Sequence, residues 1–364
     1  MLQSAWREAL RFSLAGWRVS TPILVVALIL LDVMHAHPVA IFAAAALALI
    51  PLASLLGDAT EDLAGHVGPA LGGFLNATLG NATELIIAFL ALKSGHIEVV
   101  KASITGSIIG NLILVFGLAV FVGGLGREKQ TFNRVAVGAN TSMLFLAVVA
   151  LVMPAVFDLA VFGKLEPAGS VIERLSFWTA TVLLFSYFAS LVFTFRTHKS
   201  LFGGETHHAP TLRRSTAIAI LLAATALIAL ASEILVAQIE FVTRALGWTE
   251  LFVGLVIVAT VGNAAEHSTA VMMARKDKMD LALSVAIGSS TQIALFVAPL
   301  LVVASQFLRA PMSLVFHPLE IAAVILSVGV VTLVSQDGET NWFEGLQLLS
   351  VYAILGVFFY FLPS

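Results

Sequence analysis

The chain has 364 residues, 59% of them hydrophobic and only 11% charged. Soluble domains run near about a quarter charged, so a mean hydropathy of +1.00 marks a polytopic membrane protein. A net charge of −3 gives no reason to expect nucleic-acid binding, and the absence of cysteine excludes disulfides, thiolate metal sites and cysteine nucleophiles.

The N-terminal stretch MLQSAWREALRFSLAGWR carries three arginines and no small-residue cleavage pattern, so the first apolar run reads as an anchor. A span needs roughly 20 mostly apolar residues. Eleven runs qualify as helices, at about 20–36, 38–63, 69–92, 97–124, 133–157, 173–196, 212–243, 249–274, 280–305, 313–335 and 342–362. The seventh is long enough to project from a bilayer. None shows the period-2 alternation of a β-barrel. Between the sixth and seventh lies RTHKSLFGGETHHAPTLRR, residues 196–214, a polar linker with Gly203, Gly204 and Pro210. His207 and His208 in it read as solvated, since two adjacent imidazoles without carboxylate support make a poor metal site. With the N-terminus in the cytoplasm, 13 of the 19 Lys and Arg fall in cytoplasmic segments, and the outside holds Lys93, Lys101, Lys164, Arg174, Arg244 and Arg309. That bias predicts an N-in, C-out topology for eleven spans.

The clearest internal signal is a repeat. LGNATE at 79–84 matches VGNAAE at 261–266, an offset of 182 residues. The same offset relates Gly106-Ser107 to Gly288-Ser289. Register held over two helices and their loop is far less expected by chance than one short match. The expected fold is all-α and polytopic: a first segment (1–37), a five-helix repeat (38–197), a cytoplasmic linker (198–211) and a second five-helix repeat (212–364). An odd number of helices per repeat makes the repeats inverted, an arrangement secondary transporters use to build a midplane substrate site.

Glu84 and Glu266 lie inside apolar spans, where an ionisable group is costly and usually functional. Gly80-Asn81 and Gly262-Asn263 precede them. Glycine costs a helix interior about 1 kcal/mol relative to alanine, and asparagine competes for backbone hydrogen bonds. A kink or break is expected there, freeing carbonyl oxygens. Asn81 shares a face with Glu84, and Asn263 with Glu266. The following helices add Ser107 and Asn111, and Ser289 and Gln292. Thr83 and Ser290 stand beside them. Hydrogen bonding between helices accounts for such residues equally well. Gly106 and Gly110 form a GxxxG expected to admit the helix at 69–92.

Two carboxylates with amide, hydroxyl and backbone oxygens suit a hard divalent ion of six to eight oxygen ligands, and Ca2+ tolerates irregular geometry better than Mg2+. Without a cation, two nearby carboxylates in a low dielectric do not both stay ionised; they take up protons. One site holding either Ca2+ or protons is a coupling mechanism. His267, opposite Leu85 in the first copy, reads equally as a proton relay or as a packing histidine. Glu61, Asp62, Glu233 and Glu240 stand toward helix ends, as cation-attracting mouths or simply solvated. Glu320, following His317 and Pro318, marks a helix start. No HExxH or GxSxG motif occurs, and a duplicated polar cluster is not what a single catalytic centre requires, so no enzyme is expected.

The motifs GNATELI (80–86), GSIIGNLILVFG (106–117), GNAAEHSTA (262–270) and GSSTQIAL (288–295) resemble the cation/proton exchanger family of the calcium/cation antiporter superfamily. The resemblance covers essentially the whole chain. It implies Ca2+/H+ antiport in a prokaryotic inner membrane, with Ca2+ and protons as transported species and no cofactor. It also implies that Glu84 and Glu266 bind Ca2+ and H+ alternately, with Asn81, Asn263, Ser107, Ser289 and Gln292 lining the site and His267 adjoining it. A Na+/Ca2+ exchanger and a cation channel remain as alternatives. Family members often carry an acidic segment between the halves; here 196–214 holds one acidic residue, Glu205. Oligomeric state is left open.

Overall fold

The computed structural model describes residues 20–67, 69–163, 170–198, 210–308 and 310–362. Most of the arginine-bearing N-terminal stretch, Lys164, Arg309, and the linker's centre with Glu205, His207 and His208 lie outside them. In chain order the helices are α1 (Ser20–Val33), α2 (Pro38–Val67), α3 (Pro69–Leu79), α4 (Ala82–Lys93), α5 (Ile97–Gly124), α6 (Arg134–Phe162), α7 (Val171–Thr197), α8 (Arg214–Ala237), α9 (Ile239–Leu246), α10 (Glu250–Gly262), α11 (Ala264–Arg275), α12 (Met279–Ser305), α13 (Pro318–Val334) and α14 (Trp342–Tyr360). The described residues are nearly all helical. Seven helices are long and apolar enough to cross a membrane, nine if each bent pair counts as one span, with α1 and α13 as shorter apolar helices.

Where the boundaries differ from expectation, local chemistry explains it. The run 212–243 is not one helix. It stops at Ala237, and α9 is a separate amphipathic piece that buries Ile239 and Val242 and pairs Glu240 with Arg244 on its exposed side. Gly247, at φ +67, ends it. The run 313–335 becomes helical only at Pro318. The residue before a proline favours extended backbone, and His317 at φ −62, ψ 137 caps α13 reciprocally with Glu320. Met312 to Phe316 ahead of it are buried although not helical. Glu320 does mark a helix start.

The chain divides into two compact units, each drawing residues from both halves of the sequence. One comprises Met1–Leu90 and His207–Gly247, the other Ala91–Thr206 and Trp248–Ser364. In the first, α2 packs along α8 and against α3. Gly72 lets α3 approach α2: a Cβ there would stand 2.6 Å from the Ala64 carbonyl. Asp62, expected at a mouth or in solvent, is buried and tied down. It accepts hydrogen bonds from Thr211 N (2.7 Å), Thr211 Oγ1 (2.8 Å) and Leu212 N (3.2 Å), pinning the chain just before α8.

In the second unit the core lies on α5 and α12, whose apolar windows are 83% and 78% buried, against 39% for α6 and 17% for α14. α5 crosses α10 at two glycines. A Cβ on Gly106 would collide with the Leu255 backbone, and one on Gly254 would lie 2.5 Å from the Val99 carbonyl. The close approach that Gly106 permits is therefore to α10, while Gly110 faces open space. A two-residue antiparallel ladder, β1 (Gln130–Thr131) with β2 (Glu339–Thr340), joins the segments that lead into α6 and α14.

Candidate cation-binding site

The expected helix breaks are present. α3 and α4 meet at Gly80-Asn81 with a 41° bend, and α10 gives way to α11 at Asn263, whose φ −91, ψ 7 is not helical. Each glutamate consequently sits in the first turn of a half-helix, Glu84 in α4 and Glu266 in α11. A helix N-terminus carries partial positive charge, so the carboxylates occupy the favourable end. Both breaks keep the same backbone bond, from Leu85 N to Asn81 O at 3.0 Å and from His267 N to Asn263 O at 3.1 Å.

In the first unit, Asn81 and Thr83 are buried and Glu84 is half-buried. In the second unit the predicted residues form a connected polar chain. Asn263 Nδ2 donates to Ser107 Oγ (2.8 Å) and to the Ala259 carbonyl (2.7 Å). Asn263 Oδ1 accepts from Asn111 Nδ2 at 2.9 Å, and the same nitrogen reaches Glu266 Oε2 at 3.3 Å. Ser289 also hydrogen-bonds Glu266. With Glu266 ionised, the amide of Asn111 is assigned with its nitrogen toward the carboxylate, because the opposite assignment would set its oxygen against a negative charge. Asn111 Oδ1 is left buried with no hydrogen-bond partner among the described residues. Ser290 instead turns back to Ala286 O (3.0 Å) and Ile108 O (3.3 Å), bonding α12 to α5. Gln292 and His267 are half-buried.

Sequence reasoning gave no hint of one feature. α5 widens to a π-helical turn at Gly110–Val115, and α12 does so at Ile293–Val297. The 182-residue offset carries the first segment onto 292–297. Isolated π turns inside α-helices often mark functional sites, and Asn111 belongs to the first of them. Another miss is the burial of Lys101, counted above among the outside residues. It lies within α5, 3% exposed, with Nζ 2.8 Å from the Val315 carbonyl.

Comparison with known proteins agrees with this architecture. The profile of the sodium/calcium exchanger protein family matches residues 37–196 and 216–361. A Ca2+/H+ antiporter of Synechocystis sp. is 45% identical over 343 residues, 89% of this chain and 91% of that protein. The Ca2+/H+ antiporter ChaA of Bacillus subtilis is 42% identical over 338 residues, 91% of this chain and 95% of its own. The solved structure of native YfkE superimposes with a TM-score of 0.83 at 40% identity, covering 95% of this chain and 100% of that one. An H+/Ca2+ exchanger CAX shares the fold at a TM-score of 0.68 and 16% identity, over 94% of this chain and 90% of that one. With both halves inside the family profile and these identities holding along nearly the whole length, the chain belongs to the sodium/calcium exchanger family, in its cation/proton exchanger branch.

Proposed function

We propose that this protein is a secondary antiporter that exchanges Ca2+ for H+ by alternating access. Its eleven spans would be one N-terminal helix and two inverted five-helix repeats, 38–197 and 212–364, with the N-terminus cytoplasmic and the C-terminus outside. Glu84 and Glu266 together take either the cation or protons. Asn81, Asn263, Ser107, Ser289 and Gln292 supply oxygens, and Asn111, Thr83 and Ser290 support them. His267 adjoins the site as a proton relay or tuning group.

The observation that carries this reading is Glu266 in the first turn of a half-helix, held by Asn111 and Ser289. The same motif recurs at Glu84 in the other repeat, again in the first turn of a half-helix. A carboxylate surrounded by amides and hydroxyls, without sulfur ligands, matches a hard cation. The buried Oδ1 of Asn111 is an oxygen that such a cation would satisfy. The names of the relatives support protons as the counter-ion, while the family's description keeps sodium as the second reading.

Reconstitution into vesicles separates the two. A pH gradient should drive uptake of radioactive calcium, and a Na+ gradient alone should not. Uptake driven only by Na+ would overturn the proton assignment. Glu84→Gln and Glu266→Gln should each abolish exchange in protein that still inserts, and full transport by either would sink the paired site.

A further inference from the structure

Buried ionisable chemistry in the second unit is not confined to the duplicated motif. Lys101 and Thr105 stand one turn apart on α5, exposed to only 3% and 0%, and Glu320 in the first turn of α13 is exposed to 1%. The 182-residue offset carries Lys101 and Thr105 onto Leu283 and Ile287, both apolar. The same offset carries Glu320 back onto Gly138, so the cluster has no repeat-related copy.

Its hydrogen-bond geometry is informative. Glu320 Oε2 accepts from His317 N at 3.0 Å. The other oxygen, Oε1, lies 2.6 Å from Thr105 Oγ1. The same hydroxyl lies 3.2 Å from the carbonyl oxygens of both Lys101 and Ala102. A hydroxyl has one hydrogen and two acceptor lone pairs. With Glu320 ionised, that hydrogen goes to Oε1 and neither carbonyl receives it. With a proton on Oε1, the carboxyl O–H donates to Thr105 Oγ1. The threonine hydrogen is then free for the two carbonyls behind it, a common bond for a helical threonine.

We propose that Glu320 is a proton-binding site of this transporter, separate from the Glu84 and Glu266 motifs, whose protonation reverses the hydroxyl of Thr105. One O–H bond forms at Oε1 when the proton arrives and breaks when it leaves; no other group is consumed. The charged or titratable groups acting on it are Lys101 and Glu98 on α5 and His317 at the cap of α13; α6, which packs against α13, carries the buried Asp158. Lys101 Nζ lies 3.9 Å from Glu98 Oε1, and the Glu98 side chain is 56% exposed, so the cluster reaches the protein surface at that end. α5 continues from Thr105 to Ser107 and Asn111. A proton on Glu320 thus changes the tie between α13 and α5, the helix whose Ser107 and Asn111 hydrogen-bond Asn263 and whose Asn111 reaches Glu266.

This inference rests on the second unit alone and does not need the paired-glutamate reading. It is tested by pH-difference infrared spectroscopy of the full chain in lipid vesicles at saturating Ca2+. Wild type should show a carboxylic-acid C=O band that titrates with pH. The band should persist in Glu84→Gln and Glu266→Gln, vanish in Glu320→Gln, and shift in frequency in Thr105→Val. Identical difference spectra for wild type and Glu320→Gln overturn the proposal, as does a band lost in Glu84→Gln or Glu266→Gln instead. Should Glu320→Gln fail to fold, an unshifted band in Thr105→Val overturns it equally.

Discussion

Replacing Asn111 with leucine removes one side-chain amide while keeping the number and branching of the side-chain heavy atoms. In wild type its Nδ2 reaches Glu266 Oε2 at 3.3 Å and Asn263 Oδ1 at 2.9 Å. Hydrogen bonds to charged groups contribute about 1.5–3 kcal/mol, and the longer distance puts the Glu266 bond near about 1.5. The donor favours the ionised carboxylate, the form proposed to bind Ca2+, over the protonated form proposed to exclude it. Its loss should weaken apparent Ca2+ affinity at least about tenfold, since about 1.4 kcal/mol is a factor of ten. The effect should grow as pH falls and protons compete better. The orphaned Asn263 oxygen is a separate cost of about 1–3 kcal/mol. It should appear as lower thermal stability of the Ca2+-free protein. The assay is the Ca2+ dependence of proton-driven uptake at several pH values, with a thermal melt of the same preparation. Affinity within about twofold of wild type at every pH, in folded protein, would refute the orienting role of Asn111.

Gly254→Ala should destabilise the α5–α10 crossing by about 1–3 kcal/mol through overpacking. Its Cβ would meet the Val99 carbonyl at 2.5 Å, whereas Gly57→Ala, inside α2 with nothing within 4 Å, should melt at or above wild type because alanine is the better helix former. Asp62→Ala leaves the backbone N–H groups of Thr211 and Leu212 without their acceptor; trypsin should then cut at Arg213 and Arg214 faster, and an unchanged cleavage rate would count against the tie. The exposed Lys129 is held above its ordinary value by its hydrogen bond to Glu339. A raised lysine stabilises fully below its unfolded value and loses that effect only as pH rises through the folded one. Lys129→Ala should therefore leave the neutral-pH profile of transport unaltered, and a shifted profile would contradict that assignment.

Much of the site was legible because its signals are local. Gly80-Asn81 and Gly262-Asn263 weaken a helix whatever surrounds them, and both helices break there. Spacing along a helix put Asn263 beside Glu266, and Ser107 beside Asn111. What spacing does not contain is side-chain direction between helices, so the bridge from Asn111 to both Asn263 and Glu266 came only from the packed α5. The π turns at 110–115 and 293–297 carry no compositional mark. Lys101 was miscounted because a lysine near a helix end looks solvated until a neighbouring segment, here Val315, closes over it. The buried coil before Pro318 resembled a helix because Met312, Leu314, Val315 and Phe316 are apolar; the proline was the signal to weigh. The run 212–243 passes beyond Ala237, where the helix ends, because an alanine- and leucine-rich helix offers no stop of its own.

The central claim is that one site holds either Ca2+ or protons. Proton release on Ca2+ binding tests it most directly, measured on the purified protein in weakly buffered solution for wild type, Glu84→Gln and Glu266→Gln. The account predicts that wild type releases protons as Ca2+ binds, and that each variant binds more weakly and releases fewer. Calcium binding without proton release at any pH, or release unchanged in both variants, would contradict it.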